Sequence, residues 1–370
     1  MNREPSVTVD TIIQQGGKLK GQGLYGCVWS PPLLTVKNTA VKNKKGVTTL
    51  GKVTEYSEVA KEIELSKFLS KFPETTDYCL LPDIKSISKI RPLSQQKDED
   101  IKDCLAFERY DLNNMYQFHI QDGGITLREK LGRLKTDIHT FDFFKFVQQI
   151  LEIGAFLILH GCIHNDMHSS NIVMDTNYKP RVIDFGRAYM YNTITETTVS
   201  ELNARYSPQL RHITPESTAF DGVTDGVDIE QIYRDLYSMK ETIKVIEQVL
   251  GVSRQAQIQE FRNFWKTSVC AQAEDWLTLH RLYWTVVDSW AIGNIIIQIL
   301  KRFKMSKTFL QSSEWKEKGT IIQSVLKGLL RTSPYYRYDA LEALAMYDPS
   351  NAFVNSESGR AWLSKKKSFV

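Results

Sequence analysis

The stretch from His160 to Gly186 constrains this chain more than any other. It reads His-Gly-Cys-Ile-His-Asn-Asp-Met-His-Ser-Ser-Asn-Ile-Val-Met-Asp and runs on to Val-Ile-Asp-Phe-Gly. Asp166, Asn171 and Asp184 stand in a fixed frame within it. Two short β-branched runs, Ile172–Met174 and Arg181–Ile183, flank the turn-prone Asp-Thr-Asn-Tyr-Lys-Pro, a pattern that predicts a hairpin. A hairpin of that length brings Asn171 and Asp184, at its outer ends, close together. Both offer hard oxygen ligands suited to Mg²⁺, with coordination positions left for phosphate oxygens. Asp166, just ahead, is placed to accept a proton from an attacking hydroxyl. The chemistry this frame points to is phosphoryl transfer.

His164-Asn165-Asp166 with Asn171, followed by Asp184-Phe185-Gly186, resembles the catalytic and metal-binding loops of the protein kinases. The resemblance implies an α+β, two-lobed protein-kinase fold, with a small β-rich N-lobe carrying one key helix and a larger helical C-lobe. It also implies ATP and Mg²⁺ as cofactors, and a protein as the phosphate acceptor. Gly21-Gln22-Gly23-Leu24-Tyr25-Gly26-Cys27-Val28 would be the glycine flap over the phosphates. A dinucleotide-binding fold uses the same glycine spacing between a strand and a helix. Here Val-Trp-Ser-Pro-Pro follows, and tandem prolines oppose a helix at that point, so strand-turn-strand is expected. Ala40-Val41-Lys42 matches the end of the family's Val-Ala-Ile-Lys. That makes Lys42 the candidate phosphate lysine, with Lys37, Lys44 and Lys45 as rivals.

Residues 57–72 carry a helical pattern, with Val59, Ile63, Leu65, Phe68, Leu69 and Phe72 mostly on one face. Glu62 is the expected partner of the lysine, with Glu64 and Glu58 as alternatives. A polar loop over 83–103 leads to Leu105–Tyr110, expected to be the strand at the hinge. Backbone groups from Glu108 would then bond adenine, with Phe107 behind them. An apolar helix over about 142–161 delivers the chain to the catalytic loop.

Two positions in that loop depart from the family. Asn165 replaces the arginine usual before the catalytic aspartate, so activity is not expected to depend strictly on activation-loop phosphorylation. His168 stands where a lysine usually touches the γ-phosphate, and it carries full charge only when protonated. Downstream, Thr214-Pro215-Glu216 resembles Ala-Pro-Glu, Asp288-Ser-Trp290-Ala-Ile-Gly293 resembles the helix that anchors the catalytic loop, and Arg337 matches the arginine that pairs with the Glu216-type carboxylate. The 72 residues from Glu216 to Asp288 (288−216) exceed the family's usual gap, so 217–287 is expected to be an insertion serving a partner or substrate. The domain expected from the resemblance is 15–345, with the N-lobe at about 15–107, a hinge at about 108–112, the C-lobe at about 113–345, and a C-terminal tail over 346–370 whose lysine run, Lys365–Lys367, is expected to be solvated. The glycine flap and the His-Asn-Asp-x-His loop look most like serine/threonine-protein kinases of large nucleocytoplasmic DNA viruses, such as iridoviruses.

Composition narrows the rest. Forty-seven basic against 43 acidic side chains leave a net charge of +4, too balanced to signal a nucleic-acid binder. The five cysteines are scattered with no Cys-x-x-Cys pair, so neither a disulfide framework nor a zinc site is expected, and a reducing compartment is the simpler reading. The N-terminus lacks a signal-peptide core and no apolar run reaches a membrane span. The expectation is a soluble intracellular enzyme, in host cytoplasm or virion if viral. The leading reading is transfer of the ATP γ-phosphoryl to protein serine or threonine. A small-molecule phosphotransferase on the same fold and a pseudokinase scaffold are the alternatives.

Overall fold

The structure, a computed structural model, describes residues 11–12, 17–23, 26–37, 41–42, 48–96, 99–133 and 141–367. The chain divides into two compact units, Met1–Gly124 and Ile125–Val370.

The first unit is built on a five-stranded antiparallel sheet. Its strands are β1 (Lys18–Gln22), β2 (Gly26–Ser30), β3 (Thr49–Glu55), β4 (Asp83–Lys89) and β5 (Met115–Gln121). They lie in the order β1-β2-β3-β5-β4. In β2, alternation sends Cys27 and Trp29 inward, where they join Leu33, Val53, Ile90, Cys104 and Met115 in one apolar core. A Cβ at Gly26 would overlap the Val53 carbonyl oxygen, so only glycine allows β2 to lie this close to β3. The chain passes from β3 straight into helix α1 (Tyr56–Leu69), which turns Val59, Glu62, Leu65 and Leu69 inward.

Expectations for this unit need correction, beginning with the polar loop over 83–103, whose first seven residues are strand β4. Residues 105–110 are not a strand: Ala106–Arg109 form a single helical turn, and the strand beside β3 is β5. The passage between the units therefore falls after Gly124 (φ +96°), not at 108–112, and Glu108 lies well before it. Cys27 and Cys104 form a buried disulfide, with Cα atoms 6.0 Å apart. Local cysteine spacing cannot reveal this pair, because 77 residues separate its members and only the sheet brings them together.

The second unit is mostly helical. The expected hairpin is present: β6 (Ile172–Met174) pairs antiparallel with β7 (Pro180–Val182), in register Ile172↔Val182 and Met174↔Pro180. Helix α2 (Phe143–Leu159) is apolar on nearly every side and is buried accordingly. Between Glu216 and Asp288 lie α3 (Pro215–Thr224), α4 (Ile229–Met239), α5 (Glu241–Leu250), α6 (Arg254–Thr267) and α7 (Trp276–Tyr283). These helices are no loose appendage. Ile232, Ile243, Ile246, Phe261 and Trp265 are buried, and Thr332 Oγ1 donates to the Gln257 carbonyl at 2.6 Å. The central helix α8 (Val287–Phe303) follows, then α9 (Ser313–Leu329) and α10 (Ala340–Tyr347). In the C-terminal tail Glu357–Lys367 is helical, and Trp362 Nε1 donates to Asp339 Oδ2 at 2.8 Å. No helix among the described residues is long and apolar enough to cross a membrane.

His280, on α7, gives this unit a pH-dependent weak point. Burial pushes its pKa down from 6.5 to about 4, with Glu216 pulling weakly the other way. Its Nδ1 lies 3.4 Å from the Tyr189 hydroxyl. The unfolded chain takes up a proton below about pH 6.5 that the folded imidazole refuses, so stability is lost as pH falls from 6.5 towards 4. Urea unfolding at pH 7.5 and 5.0 should show a pH-dependent loss smaller in His280→Gln than in wild type, by roughly 2 kcal/mol. Equal losses would remove His280 from the account.

Candidate active site

The catalytic-loop candidates are assembled from one end of the β6–β7 hairpin and the residues just before it. Asp288, buried near the start of α8, holds the loop from below: its Oδ2 accepts from the His164 N–H at 2.7 Å and its Oδ1 from the Asn165 N–H at 2.9 Å. Asn165 adopts a left-handed φ of +59°, which turns the chain there, and asparagine tolerates that conformation better than most residues. The buried His164 ring links three pieces. Its Nδ1 accepts from the Asp166 N–H at 3.3 Å, its Nε2–H donates to the Ile183 carbonyl at 3.0 Å, and its face packs on Phe185 at 4.9 Å. Asp184 itself has φ +66°.

Asn171 sits at the junction. Its Nδ2 donates to the Asp166 carbonyl at 3.0 Å and to Asp166 Oδ2 at 3.1 Å, while its own carbonyl accepts from the Ile183 N–H at 2.9 Å. With both contacts made through Nδ2, the side-chain Oδ1 has no protein donor among the described residues. That oxygen and the carboxylate of Asp184, the residue after Ile183, are hard-oxygen donors of the kind Mg²⁺ takes. The residues present therefore fit the metal that the resemblance implies.

A residue not singled out from the sequence completes the site. His212 Nε2 lies 3.0 Å from Asp166 Oδ1, and the His168 and His212 rings are 4.9 Å apart. Nothing in local spacing marks His212, since it lies 46 positions (212−166) along the chain from Asp166. Burial opposes ionisation of Asp166, but the His212 hydrogen bond and the nearby imidazoles outweigh it and hold the carboxyl below its ordinary pKa. Burial also lowers the pKa of His168, against the pull of Asp166.

Asp166, His168 and His212 bring three ligand atoms within 4.8 Å of one another, a grouping that could suggest a metal. The tautomer of His168 argues otherwise. Its Nδ1 accepts from the Ser170 N–H at 3.1 Å, so the ring proton sits on Nε2, the atom 3.7 Å from Asp166 Oδ1. His168 thus presents a neutral N–H donor rather than a metal-ligating lone pair.

In the first unit, Gly21 and Gln22 lie on β1 opposite Val28 and Cys27 on β2, and the Gly23 N–H donates to the Gly26 carbonyl at 2.8 Å. The glycine run is therefore strand-turn-strand, with no helix after its third glycine. Leu24 and Tyr25 lie outside the described residues. Among the described residues, Glu62 meets a lysine other than the expected Lys42. Glu62, 3% exposed on α1, is ion-paired with Lys52 on β3. Lys52 also lies over the Phe118 ring at 5.7 Å, directly across the register Lys52↔Phe118. Lys42 belongs to a two-residue strand paired with Thr11–Ile12, apart from the five-stranded sheet, and its side chain lies outside the described residues. Glu108, in its helical turn before β5, is not on the strand that adjoins β3.

Comparison with known proteins adds to this geometry. Residues 84–229 match the family model described as protein tyrosine and serine/threonine kinase. The proline-rich receptor-like protein kinase PERK12 of Arabidopsis thaliana is 23% identical over 209 residues, 56% of this chain and 25% of that protein. Cyclin-dependent kinase-like 1 of Caenorhabditis elegans is 30% identical over 146 residues, 38% of this chain and 40% of that protein. The matched segments cover 60% or less of these curated relatives' own length. Among solved structures, one described as ROP18 kinase domain in complex with AMP-PNP and sucrose aligns with a TM-score of 0.49 at 12% identity. That alignment covers 95% of this chain and 82% of the other. The likeness to DNA-virus kinases rests on the short motifs alone.

Proposed function

We propose that this chain is an ATP-dependent protein kinase transferring the γ-phosphoryl group to serine or threonine hydroxyls. The observation that carries the reading is the hydrogen-bonded Asp166–Asn171 pair, fastened below by Asp288 and tied through His164 and the Asn171 backbone to the segment bearing Asp184. Asp166, kept ionised, accepts the hydroxyl proton or orients the hydroxyl for attack. Asn171 and Asp184 would hold Mg²⁺, which when bound screens the phosphate charges. His168 donates its Nε2–H towards the γ-phosphate. Lys52, held by Glu62, takes the role of phosphate lysine, and the Gly21–Val28 flap supplies backbone N–H groups. Backbone groups near the end of β5, before Gly124, take over the adenine contact expected of Glu108, with Phe118 in the place foreseen for Phe107.

The serine/threonine preference is supported by the resemblance and by the curated relatives' names, whereas the matching family model covers tyrosine kinases as well. A small-molecule phosphotransferase is the second reading, favoured by the neutral His168 in place of a lysine. Against it stands the buried Glu216–Arg337 pair, a feature of the peptide-docking lobe in the family it resembles.

The test is transfer from labelled ATP with Mg²⁺ to the protein itself, to a generic basic protein, to acidic and neutral peptides, and to small alcohols. Label on protein serine or threonine is expected from the wild type. Asp166→Asn should lower turnover by roughly 10²- to 10⁴-fold, and Asp184→Asn should abolish it. Label confined to small alcohols would establish the second reading. ATP binding with no transfer to any acceptor would leave a scaffold.

A further inference from the structure

A cavity of about 310 Å³ opens within the second unit, one side chain away from Asp166. His168 and His212, the two imidazoles beside Asp166, form one end of it. Arg211, Leu131, Asn294 and Gln298 form much of the rest. Among the described residues, no aspartate or glutamate lines it.

The wall carrying Arg211 is fixed by its backbone. The Arg211 carbonyl accepts from Trp290 Nε1 at 3.0 Å, and the neighbouring Leu210 carbonyl accepts from the buried Lys240 Nζ at 2.9 Å. The Arg211 side chain is exposed and has no carboxylate partner among the described residues. Asn294 is 6% exposed, and its Oδ1 accepts from Thr242 Oγ1 at 2.8 Å. Its Nδ2 hydrogens have no protein acceptor among the described residues, so they are available to the cavity.

The described lining is therefore one arginine and neutral groups, with the nearest carboxylate, Asp166, set behind the two imidazoles. A basic side chain entering here would meet Arg211 with no carboxylate on the described lining to pair with, and like-charge contact of that kind is a strong means of rejection. A carboxylate would find a guanidinium fork and an amide N–H together.

We propose that this cavity receives an acidic side chain of the protein substrate, flanking the accepting hydroxyl, with Arg211 as its charge partner. The proposal rests on the protein-kinase reading, since it assigns that enzyme's substrate class. Arg211 is here a specificity residue and takes no part in the transfer step.

Binding and turnover are read separately to test it. Fluorescent peptides with one serine, flanked by glutamates, glutamines or lysines, are titrated into the full chain by anisotropy, and the same peptides are then offered with ATP and Mg²⁺. The glutamate peptide should bind at least about tenfold more tightly than the lysine peptide, a difference on the scale of one charged contact. Arg211→Glu should reverse that order, and Arg211→Gln should abolish it. Equal binding of all peptides, tighter binding of the lysine peptide, absence of binding, or a preference that survives Arg211→Glu would each overturn the proposal. A glutamate preference that depends on Arg211, without transfer to the bound peptide, would support the cavity's charge selectivity and count against the kinase reading instead.

Discussion

Lys52→Met is expected to lower phosphate transfer by roughly 10²- to 10³-fold, the cost of removing one preorganised charge-stabilising donor. Lys42→Met is expected to keep most of the wild-type rate. The argument starts from Glu62, a carboxylate turned inward on α1 and 3% exposed. Burying such a group is costly unless a cation meets it, and the cation that meets it is Lys52, whose side chain is itself only 14% exposed. The pair holds Lys52 on the sheet whose first two strands carry the glycine flap. Lys42 stands outside that sheet, on the strand paired with Thr11–Ile12. Glu62→Gln should fall between the two, because the lysine keeps its charge and loses its anchor. Initial rates against ATP concentration for the three variants decide the matter. A dead Lys42→Met with an active Lys52→Met would return the role to Lys42.

The same region shows why some of the site was legible in the sequence and some was not. The Asp166–Asn171 contact and the hairpin that leads on to Asp184 could be read because local spacing carries that geometry. Asp288 and the Glu216–Arg337 pair could be read only through resemblance, and the structure does bring each to its expected partner. Lys52 was hidden by its strand. Thr-Leu-Gly-Lys-Val-Thr-Glu has a glycine where the family pattern has an apolar residue, and Ala-Val-Lys a few residues earlier matches that pattern better. The strand also runs into α1 without a loop, which puts the lysine 10 residues before Glu62 rather than 20. Strand β5 was hidden by polar residues on its buried side. Gln117 is fully buried because its amide bonds both the N–H and the carbonyl of Leu33, at 2.8 and 3.0 Å, and His119 is buried beside it. An inward amide satisfied by a distant backbone breaks the apolar alternation that marks a strand. The apolar run at 105–110 therefore reads as the better candidate. His212 and the Cys27–Cys104 disulfide share a different cause: each meets its partner through tertiary folding alone.

Arg337→Ala is expected to cost about 3–5 kcal/mol of stability, a large part of the 5–15 kcal/mol typical of a folded domain. Arg337 Nη1 and Nη2 donate to Glu216 Oε1 and Oε2 at 2.7 and 2.9 Å, with side-chain exposures of 0% and 2%. The guanidinium also donates through Nε to the Arg331 carbonyl at 2.8 Å and lies 5.3 Å from the centre of the Trp290 ring. Removing it leaves the Glu216 carboxylate buried without its counter-ion, which is where most of the cost arises. Lysine should rescue little, because a point charge cannot reproduce the planar two-pronged contact. Arg337→Met combined with Glu216→Gln should recover part of the loss, since the stranded charge goes with its partner. Urea unfolding of the two single variants and the double variant measures this coupling. A loss below about 1 kcal/mol in Arg337→Ala would mean that Glu216 finds another partner or water. The consequence reaches the catalytic loop, because Glu216 lies at the first turn of α3, four residues after His212. If the pair anchors that turn, stability and the His212–Asp166 contact fail together. Residual transfer by folded Arg337→Lys should then fall below what its folded fraction predicts.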